Sequence, residues 1–329
     1  MAVSSPPRIP DDASRVELRV GKRVVPLTNL KKTFWRREKL TKRDLLQYYA
    51  DVSPWLLPHL IGRAEVMKRF PNGTDGKFFY MKRAPSPRPE WIETCTIEHR
   101  NAGPVPYPIV QDLPSLLWLV NLGCIDLNPW YSACGDFDRP DFLHFDLDPV
   151  PGVAFRRVRE AALRVRESLE ELGMPTYAKT TGATGMHLYV PIVDGPMQKE
   201  VWHVAKAIAF ELARRHPKLL TAQYRIAKRP KGTVLVDYNQ NAWGKTLASV
   251  YSVRPTPKAS VSAPVTWKEV EDGFEREDFT IRTMLPRLRK KGDLWKPVLG
   301  KKRFDLGPLI AIHAPKPKPK RKARGKSDA

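Results

Sequence analysis

Residues 142–152 read FLHFDLDPVPG, which places Asp146 and Asp148 one residue apart inside an apolar, strand-like run. Successive side chains of a strand alternate between faces, so Leu143, Phe145 and Leu147 face one way and His144, Asp146 and Asp148 the other. The two carboxylates then share a surface, with Cα atoms about 6.6 Å apart. Left alone they repel each other. A positive group belongs beside them, either a divalent cation or Arg and Lys side chains from elsewhere in the chain. His144 shares their face, but a packing role suits it as well as a chemical one and it is assigned none.

Two further segments carry chemistry of the same kind. In TTGATGMHLYVP (180–191), Gly182 and Gly185 frame a tight turn ahead of a strand bearing His187. In VLVDYNQNAWGKTLASVYSVRP (234–255), Asp237 ends an apolar run and is followed by Gln240, Asn241, Lys245 and Arg254. Hard divalent cations take carboxylate oxygens, which Asp146, Asp148 and Asp237 supply. A triphosphate takes backbone N–H groups of a glycine turn, the hydroxyls of Thr181 and Thr184, and cationic donors such as His187 and Arg254. Two metals roughly 3.5–4 Å apart activate a hydroxyl and stabilise departing pyrophosphate without a conventional general base.

Each segment alone is ambiguous. An Asp-x-Asp strand also occurs in haloacid-type phosphatases, metal-dependent glycosyltransferases and salt-bridged sheets. The glycine turn by itself reads as an ordinary hairpin, and Asp237 as a structural carboxylate. The three in this order are far more specific than any one.

The elements that must position these residues follow from the surrounding pattern. VELRVGKRVVPLT alternates like a hairpin. Thr41 is placed as the N-cap of a helix carrying Leu45, Tyr48 and Tyr49 at helical spacing. A loop-rich stretch returns to strands near 92–97 and 106–110, and LPSLLWLVNLG reads as a helix stopped by Gly123. Pro149, Pro151 and Gly152 break the chain after the aspartate strand. An amphipathic helix then ends at Gly173, two strands flank the glycine turn, and another helix spans roughly 199–215. VLVDYNQ and TLASVYSVR read as strands, with a last helical region near 276–290. The mixed order predicts an α/β or α+β fold with much antiparallel pairing.

The chain has 329 residues and a formal net charge of +22. Residues 315–329, PKPKPKRKARGKSDA, hold seven Lys or Arg against one Asp, which leaves +16 on residues 1–314. A body this basic points to nucleic acid more than to an acidic membrane or protein partner. Three cysteines without a paired CxxC spacing point to a reduced cytosolic protein and away from a structural zinc site. No apolar run reaches ~18 residues and the N-terminus lacks an apolar signal region, so the expected location is cytoplasmic and nucleoid-associated, with no membrane.

The succession FDLDP, TTGATGMHLYVP, VDYNQN and YSVRP resembles the three motifs of the archaeo-eukaryotic primase superfamily. More closely, it is similar to the polymerase domain of the bacterial non-homologous end-joining ligase and its stand-alone mycobacterial-type relatives, the Prim-PolC-like enzymes. The resemblance covers nearly all of residues 20–310 and includes LTNLKKTFW, TKRDLLQYYADVSPWLLPHLIGR, KRFPNG and KFFYMKR. It implies a primase-type catalytic core with mixed, largely antiparallel sheets flanked by helices. The expected divisions are a flexible arm at 1–14, a catalytic domain at 15–314 and a disordered basic tail at 315–329. Within the catalytic domain, DNA contacts belong to about 15–110 and the metal and nucleotide core to about 111–290.

The implied activity is template-directed addition of dNTPs or rNTPs to a 3′ end, with Mn²⁺ or Mg²⁺. It serves gap filling or end extension in DNA repair, and primer initiation is within the family's range. By resemblance, Asp146, Asp148 and Asp237 hold the metals. Thr181, Thr184, Gly185, His187 and Arg254 line the triphosphate, with Gln240 and Lys245 in the segment after the third aspartate. Asn29, Lys32 and Lys42 match positions that grip the 5′-phosphate of a gapped or broken duplex; two ammonium groups and an amide suit a phosphate dianion. Such lysines are otherwise a solvated basic face. Phe78 and Phe79 match a pair that meets template bases, near Lys68 and Arg69, although adjacent strand residues point opposite ways and one is expected in the core.

The chain departs from the family where Thr181 and Thr184 replace a frequent Ser and Lys, removing one triphosphate cation, and where Asn128 stands near a frequent His. It is too short for ligase and nuclease modules, so the expected partners include a separate DNA ligase and an end-binding protein. The rival readings are a metal-dependent nuclease or phosphohydrolase, which uses the same carboxylates but shortens DNA, and a non-catalytic DNA-end binder.

Overall fold

A computed structural model describes residues 6–313 of the chain. Strands β1 (Arg15–Val20) and β2 (Arg23–Thr28) form the expected hairpin around Gly21, whose φ is +59°. Strands β3 (Thr33–Trp35) and β4 (Leu40–Thr41) lead into helix α1 (Lys42–Leu56). Thr41 caps α1 as its sequence predicts. Its hydroxyl accepts the Asp44 N–H and the Asp44 carboxylate accepts the Thr41 N–H, closing a capping box. Leu45, Tyr48 and Tyr49 lie on the buried face of α1. The Tyr48 hydroxyl donates to the Tyr251 carbonyl and the Tyr49 hydroxyl to the Ile125 carbonyl, tying the N-terminal part to the centre.

Strands β5 (Glu65–Arg69) and β6 (Phe79–Met81), the hairpin β7 (Thr94–His99) and β8 (Gly103–Pro108), helix α2 (Leu113–Asn121) and strand β9 (Cys124–Pro129) follow. β5 runs antiparallel between β6 and β9. Gly123, in the left-handed region at φ +84°, ends α2 as anticipated. The second half comprises β10 (Phe142–Pro149), α3 (Phe155–Glu171), β11 (Tyr177–Thr180), β12 (Met186–Pro191), α4 (Gln198–Arg215), β13 (Leu220–Thr221), β14 (Val234–Asp237), β15 (Pro264–Val265), α5 (Trp267–Asp272), α6 (Met284–Lys291) and α7 (Gly307–His313). One sheet runs β13-β14-β10-β12-β11-β15, antiparallel at every step except β13 with β14.

The apolar side chains Leu143, Phe145 and Leu147 of β10 are fully buried in the main core. Helix α3 turns Val158, Ala161, Ala162, Val165 and Leu169 into that core and keeps its Arg and Glu residues outside, paired three and four apart. With α3 and α4 packed on β10, the opposite face of the strand is left for Asp146 and Asp148.

Several expectations are corrected. The segment TLASVYSVR is not a strand; it is a buried irregular run with a single bridge between Val253 and Val261. Its backbone bonds scatter instead of forming one ladder: the Ser249 N–H reaches the Leu127 carbonyl and the Tyr251 N–H the Ser262 carbonyl, while the Tyr49 hydroxyl accepts the Val253 N–H and the Tyr48 hydroxyl donates to the Tyr251 carbonyl. Tyr251 itself, at φ +62°, interrupts any extended course. The expected flexible arm is anchored near Ile9, which is fully buried, donates its N–H to Gln47 and accepts two bonds from Arg43. The basic tail at 315–329 lies outside the described residues.

The cysteines are not all reduced either. Cys95 of β7 and Cys134, with Cα atoms 6.1 Å apart, form a disulfide, while Cys124 is buried and free. The packing of Val66, Ile97, Tyr107 and Trp130 draws the β7–β8 hairpin onto the Cys134 loop. No sequence spacing announces that pairing. Among the described residues, no helix is long and apolar enough to cross a membrane.

Candidate active site at the three-aspartate cavity

The register of the central sheet builds the site. Asp146 of β10 lies opposite Asp237 of β14 on one side and opposite His187 of β12 on the other, and His187 lies opposite Lys179 of β11. Four polar side chains therefore form one row across four strands, with Asp148 two residues further along β10. Asp146, Asp148 and Asp237 each offer an oxygen within 4.8 Å of the others.

This cluster is held under electrostatic tension. Burial and Asp237 push Asp146 up to about 7. Asp146, burial and Asp237 push Asp148 up to about 7. Asp146 Oδ1 is buried without a hydrogen-bond partner; His187 Nε2 stands 3.3 Å away without bonding alignment. The Asp237 carboxylate, in contrast, accepts the Asn239 N–H at 2.8 Å and the Gln240 amide at 3.1 Å.

The glycine turn lies against the aspartate strand. A Cβ on Gly185 meets the Leu147 carbonyl oxygen at 2.1 Å, and one on Gly182 meets the Val261 and Ser262 backbone at 2.8 and 2.9 Å. Gly182 is also left-handed, at φ +68°, so both positions need glycine. Thr181 Oγ1 accepts the N–H groups of Ala183 and Gly185 at 3.0 and 3.1 Å. Those two amides are thus consumed inside the turn, and what it presents outward is chiefly the exposed Thr184. Arg254 donates to the Thr181 carbonyl at 2.6 Å and lies 3.1 Å from the buried Asp126 carboxylate.

Asp146, Asp148, Thr181, Thr184, His187, Gln240, Lys245 and Arg254 all line one cavity of about 390 Å³. Asp237 joins it through the carboxylate cluster and Gly185 through the turn. The same cavity is lined by Tyr80, Lys82, Asp126 and Asn128, which the motifs do not include as site residues. Their signal is weak: Asp126 and Asn128 alternate along β9 in the same period-two pattern as the Asp pair, but in a segment with no glycine turn nearby. Lys179, also outside the motif assignments, is 1% exposed and hydrogen-bonded to His187 Nδ1.

His144 is fully buried between Tyr131 and Tyr189, its ring stacked on Tyr189 at 5.3 Å. Burial and His187 lower its pKa to about 3, so it packs as a neutral ring.

Beside the cavity, β5 and β6 form a ledge. Lys68 Nζ lies 4.4 Å from the Phe78 ring centre and the Arg69 guanidinium 5.2 Å from that of Phe79. Both phenylalanines are about half exposed, so neither is the core residue anticipated for one of them. Tyr80, next in β6, carries the ledge into the cavity.

A second basic cluster forms where β2 and β3 meet α1. Asn29, left-handed at φ +56°, accepts the Lys32 N–H, and Lys32 accepts the Lys42 N–H. The Lys32 ammonium is exposed and bonds Asn72 at 2.7 Å. The buried Lys42 ammonium donates to the Thr28 carbonyl at 2.6 Å, and burial, Lys32 and Arg69 lower its pKa to about 8. The structure thus brings Asn29, Lys32 and Lys42 together.

A mixed sheet that presents a carboxylate triad beside a glycine turn, a histidine and an arginine defines a primase-polymerase type of protein. Residues 41–295 match the model of a family described as "LigD, primase-polymerase domain", and the chain belongs to that family. It is 33% identical over 276 residues to the multifunctional non-homologous end joining protein LigD of Mycolicibacterium smegmatis, covering 83% of this chain and 36% of that protein. It is 30% identical over 266 residues to the bifunctional non-homologous end joining protein LigD of Bacillus subtilis, covering 80% and 42%. The polymerase domain of Mycobacterium tuberculosis ligase D in complex with DNA superposes with a TM-score of 0.78 at 31% identity, over 84% of this chain and 98% of that one. The chain spans less than half the length of these two curated relatives.

Proposed function

We propose that this protein is a DNA-repair primase-polymerase that extends a 3′ end across short gaps or at broken ends, taking dNTPs or rNTPs. The observation that carries the reading is the single cavity in which three carboxylates face Thr181, Thr184, His187 and Arg254. A nuclease needs the carboxylates but leaves that phosphate-handling wall without a use, and a non-catalytic end binder needs neither.

The site fits divalent metal. Asp146 Oδ1 is an orphaned buried acceptor, and the all-oxygen donor set suits Mn²⁺ or Mg²⁺. Bound there, such ions supply Lewis-acid activation of a primer hydroxyl and neutralise charge on departing pyrophosphate. Asp146, Asp148 and Asp237 hold them. His187, Arg254, Lys245, Gln240 and the Thr181–Gly185 turn orient the triphosphate, and Asn29, Lys32 and Lys42 receive a downstream 5′-phosphate. Lys68, Arg69, Phe78 and Phe79 support the template from the ledge. On this reading the N-terminal part to about residue 110 is the DNA-contacting portion, and a separate ligase and end-binding protein complete a joining reaction at the nucleoid.

The test is extension of a primer on a short-gapped duplex bearing a 5′-phosphate, with Mn²⁺ or Mg²⁺ and with dNTPs and rNTPs supplied separately. Lengthening is expected. A shortened primer establishes the nuclease, and an intact, tightly bound primer the end binder.

A further inference from the structure

Asp126 of β9 is 1% exposed and lines the cavity, and none of the three motifs includes it. It stands outside the Asp146–Asp148–Asp237 cluster, and its Oδ1 has no hydrogen-bond partner. Arg254 is the one cation paired with it among the described residues, with Nε 3.1 Å from Oδ2. Lys68, which register sets opposite Asp126, carries its ammonium over the Phe78 ring instead. The backbones of the pair are joined without help from either side chain. The Tyr49 hydroxyl donates to the Ile125 carbonyl and accepts the Val253 N–H, so a single group holds the residue before Asp126 and the residue before Arg254. Leu127, on the other side of Asp126, donates its N–H to the Ser252 hydroxyl at 3.0 Å and accepts the Ser249 N–H at 2.8 Å. What the Asp126 carboxylate adds is therefore felt at the Arg254 side chain.

We propose that Asp126 is a positioning residue that holds the Arg254 guanidinium in one orientation for the nucleotide triphosphate, an inference that rests on the nucleotide-binding reading above. Arg254 lies close against the glycine turn, where a Cβ on Gly182 would come within 2.6 Å of its Cγ, and its Nη1 donates to the Thr181 carbonyl at 2.6 Å. One hydrogen bond leaves a guanidinium free to swing about it; the carboxylate at Nε is the second point that fixes the plane. Removing that carboxylate has two opposed consequences. As a charge it offsets part of the Arg254 field, so its loss strengthens the pull on a polyanion. As an anchor it keeps the guanidinium ordered before the nucleotide arrives, so its loss weakens an aligned, charge-assisted contact. Anchoring prevails, because the contact depends steeply on alignment whereas water in the cavity screens the unmasked field. The two roles thus move nucleotide affinity in opposite directions.

Asp126→Asn keeps the shape and removes the charge. The full chain is titrated with dATP and Ca²⁺ on a gapped duplex by calorimetry, and extension is followed with Mn²⁺. The expected result is a rise of about tenfold in both the dATP Kd and the nucleotide KM, with kcat little changed and gapped-DNA affinity unaltered. In the Arg254→Gln background the same substitution should move Kd and KM by less than about threefold, since Asp126 acts through Arg254. A Kd that falls or stays at the wild-type value overturns the proposal, as do effects of the two substitutions that multiply. Should Asp126→Asn not fold alone, the double variant, in which neither buried charge is left unpaired, is compared with Arg254→Gln, and a further tenfold loss in the double variant overturns the proposal. If the wild type binds dATP but extends no primer, the polymerase reading falls while the Kd values still test Asp126. A wild type that binds no dATP removes both.

Discussion

On the proposed function the sheet site and the basic cluster before α1 both serve phosphate chemistry, but they are built in opposite ways. In the sheet, backbone register places Asp237, Asp146, His187 and Lys179 in one row, and each of these side chains is buried. At the cluster, a left-handed Asn29 and the helix cap at Thr41 gather groups from turns, and the Lys32 side chain stays exposed. The first arrangement is strained by its own charges; the second pairs a buried Lys42 with a Lys32 that is open to water and to salt. Damage to the first should therefore be nearly all-or-none, and damage to the second graded and dependent on salt.

The largest effect is expected from Asp148→Asn. Extension should fall by roughly 1,000-fold or more, the scale of losing a group that organises charge in the transition state. The metal-free variant should also melt higher, by about 2–4 °C for each kcal/mol of relieved repulsion, because Asp146 is the main cause of the raised pKa of Asp148. Primer extension and thermal melts in chelator check both halves. Activity within tenfold of wild type would show that strained charge is not what distinguishes this region.

Arg254→Gln sharpens the same side of the comparison. It removes the bond to the Thr181 carbonyl and the cation beside buried Asp126. The nucleotide KM should rise about 10- to 100-fold, as for a charge-assisted hydrogen bond, while affinity for gapped DNA holds. The melting temperature should drop, since Asp126 is left buried without its cation. Equal losses in nucleotide and DNA binding would mean that Arg254 supports the fold and not the nucleotide.

What the sequence disclosed follows the same division. Asp146 and Asp148 were legible because period-two alternation in a strand is fixed by the backbone. The order of the three motifs carried Asp237, Thr181 and His187 into the same cavity. Lys179 escaped notice although the turn encodes it: with Thr181–Gly185 as the loop, hairpin pairing sets Thr180 opposite Met186 and Lys179 opposite His187. Asp126 came from a different sheet, and only tertiary packing brings β9 to Arg254. The run 246–254 misled for a related reason. Its alternating apolar residues look like a strand, yet its backbone bonds are divided among Leu127, Ser260, Ser262 and, some two hundred residues earlier, Tyr48 and Tyr49, so no continuous ladder forms.

At the basic cluster, Lys42→Gln should lower the preference for a 5′-phosphate over a 5′-hydroxyl end by about 2- to 10-fold, less at high salt. A pH series provides an internal check, since burial, Lys32 and Arg69 lower the Lys42 pKa to about 8. Below pH 8 the ammonium is charged and the preference is complete; as pH rises through 8 the charge is lost and the preference declines. Stability moves the other way. Between pH 8 and the unfolded value near 10.5 the unfolded chain binds more protons at Lys42 than the folded one, so this residue's contribution rises with pH. Lys42→Gln should abolish both trends, as read by end-discrimination binding assays and melts from pH 7 to 10.

The smallest effect is expected from truncation before Pro315. The seven Lys or Arg in that segment are not among the residues assigned to the nucleotide or to the 5′-phosphate, so their loss should leave nucleotide KM and 5′-phosphate preference untouched. What changes is the salt dependence of DNA binding, by roughly 0.9 in log–log slope for each phosphate the tail no longer neutralises. The truncation thus sets charge against placement: the segment carries seven Lys or Arg, whereas at the Asn29–Lys42 cluster a left-handed turn and a helix cap gather the groups. If truncation alters the 5′-phosphate preference, placement is not what makes the cluster selective. An unchanged slope instead removes the tail from DNA binding and leaves the folded body as the source of the protein's charge-driven affinity.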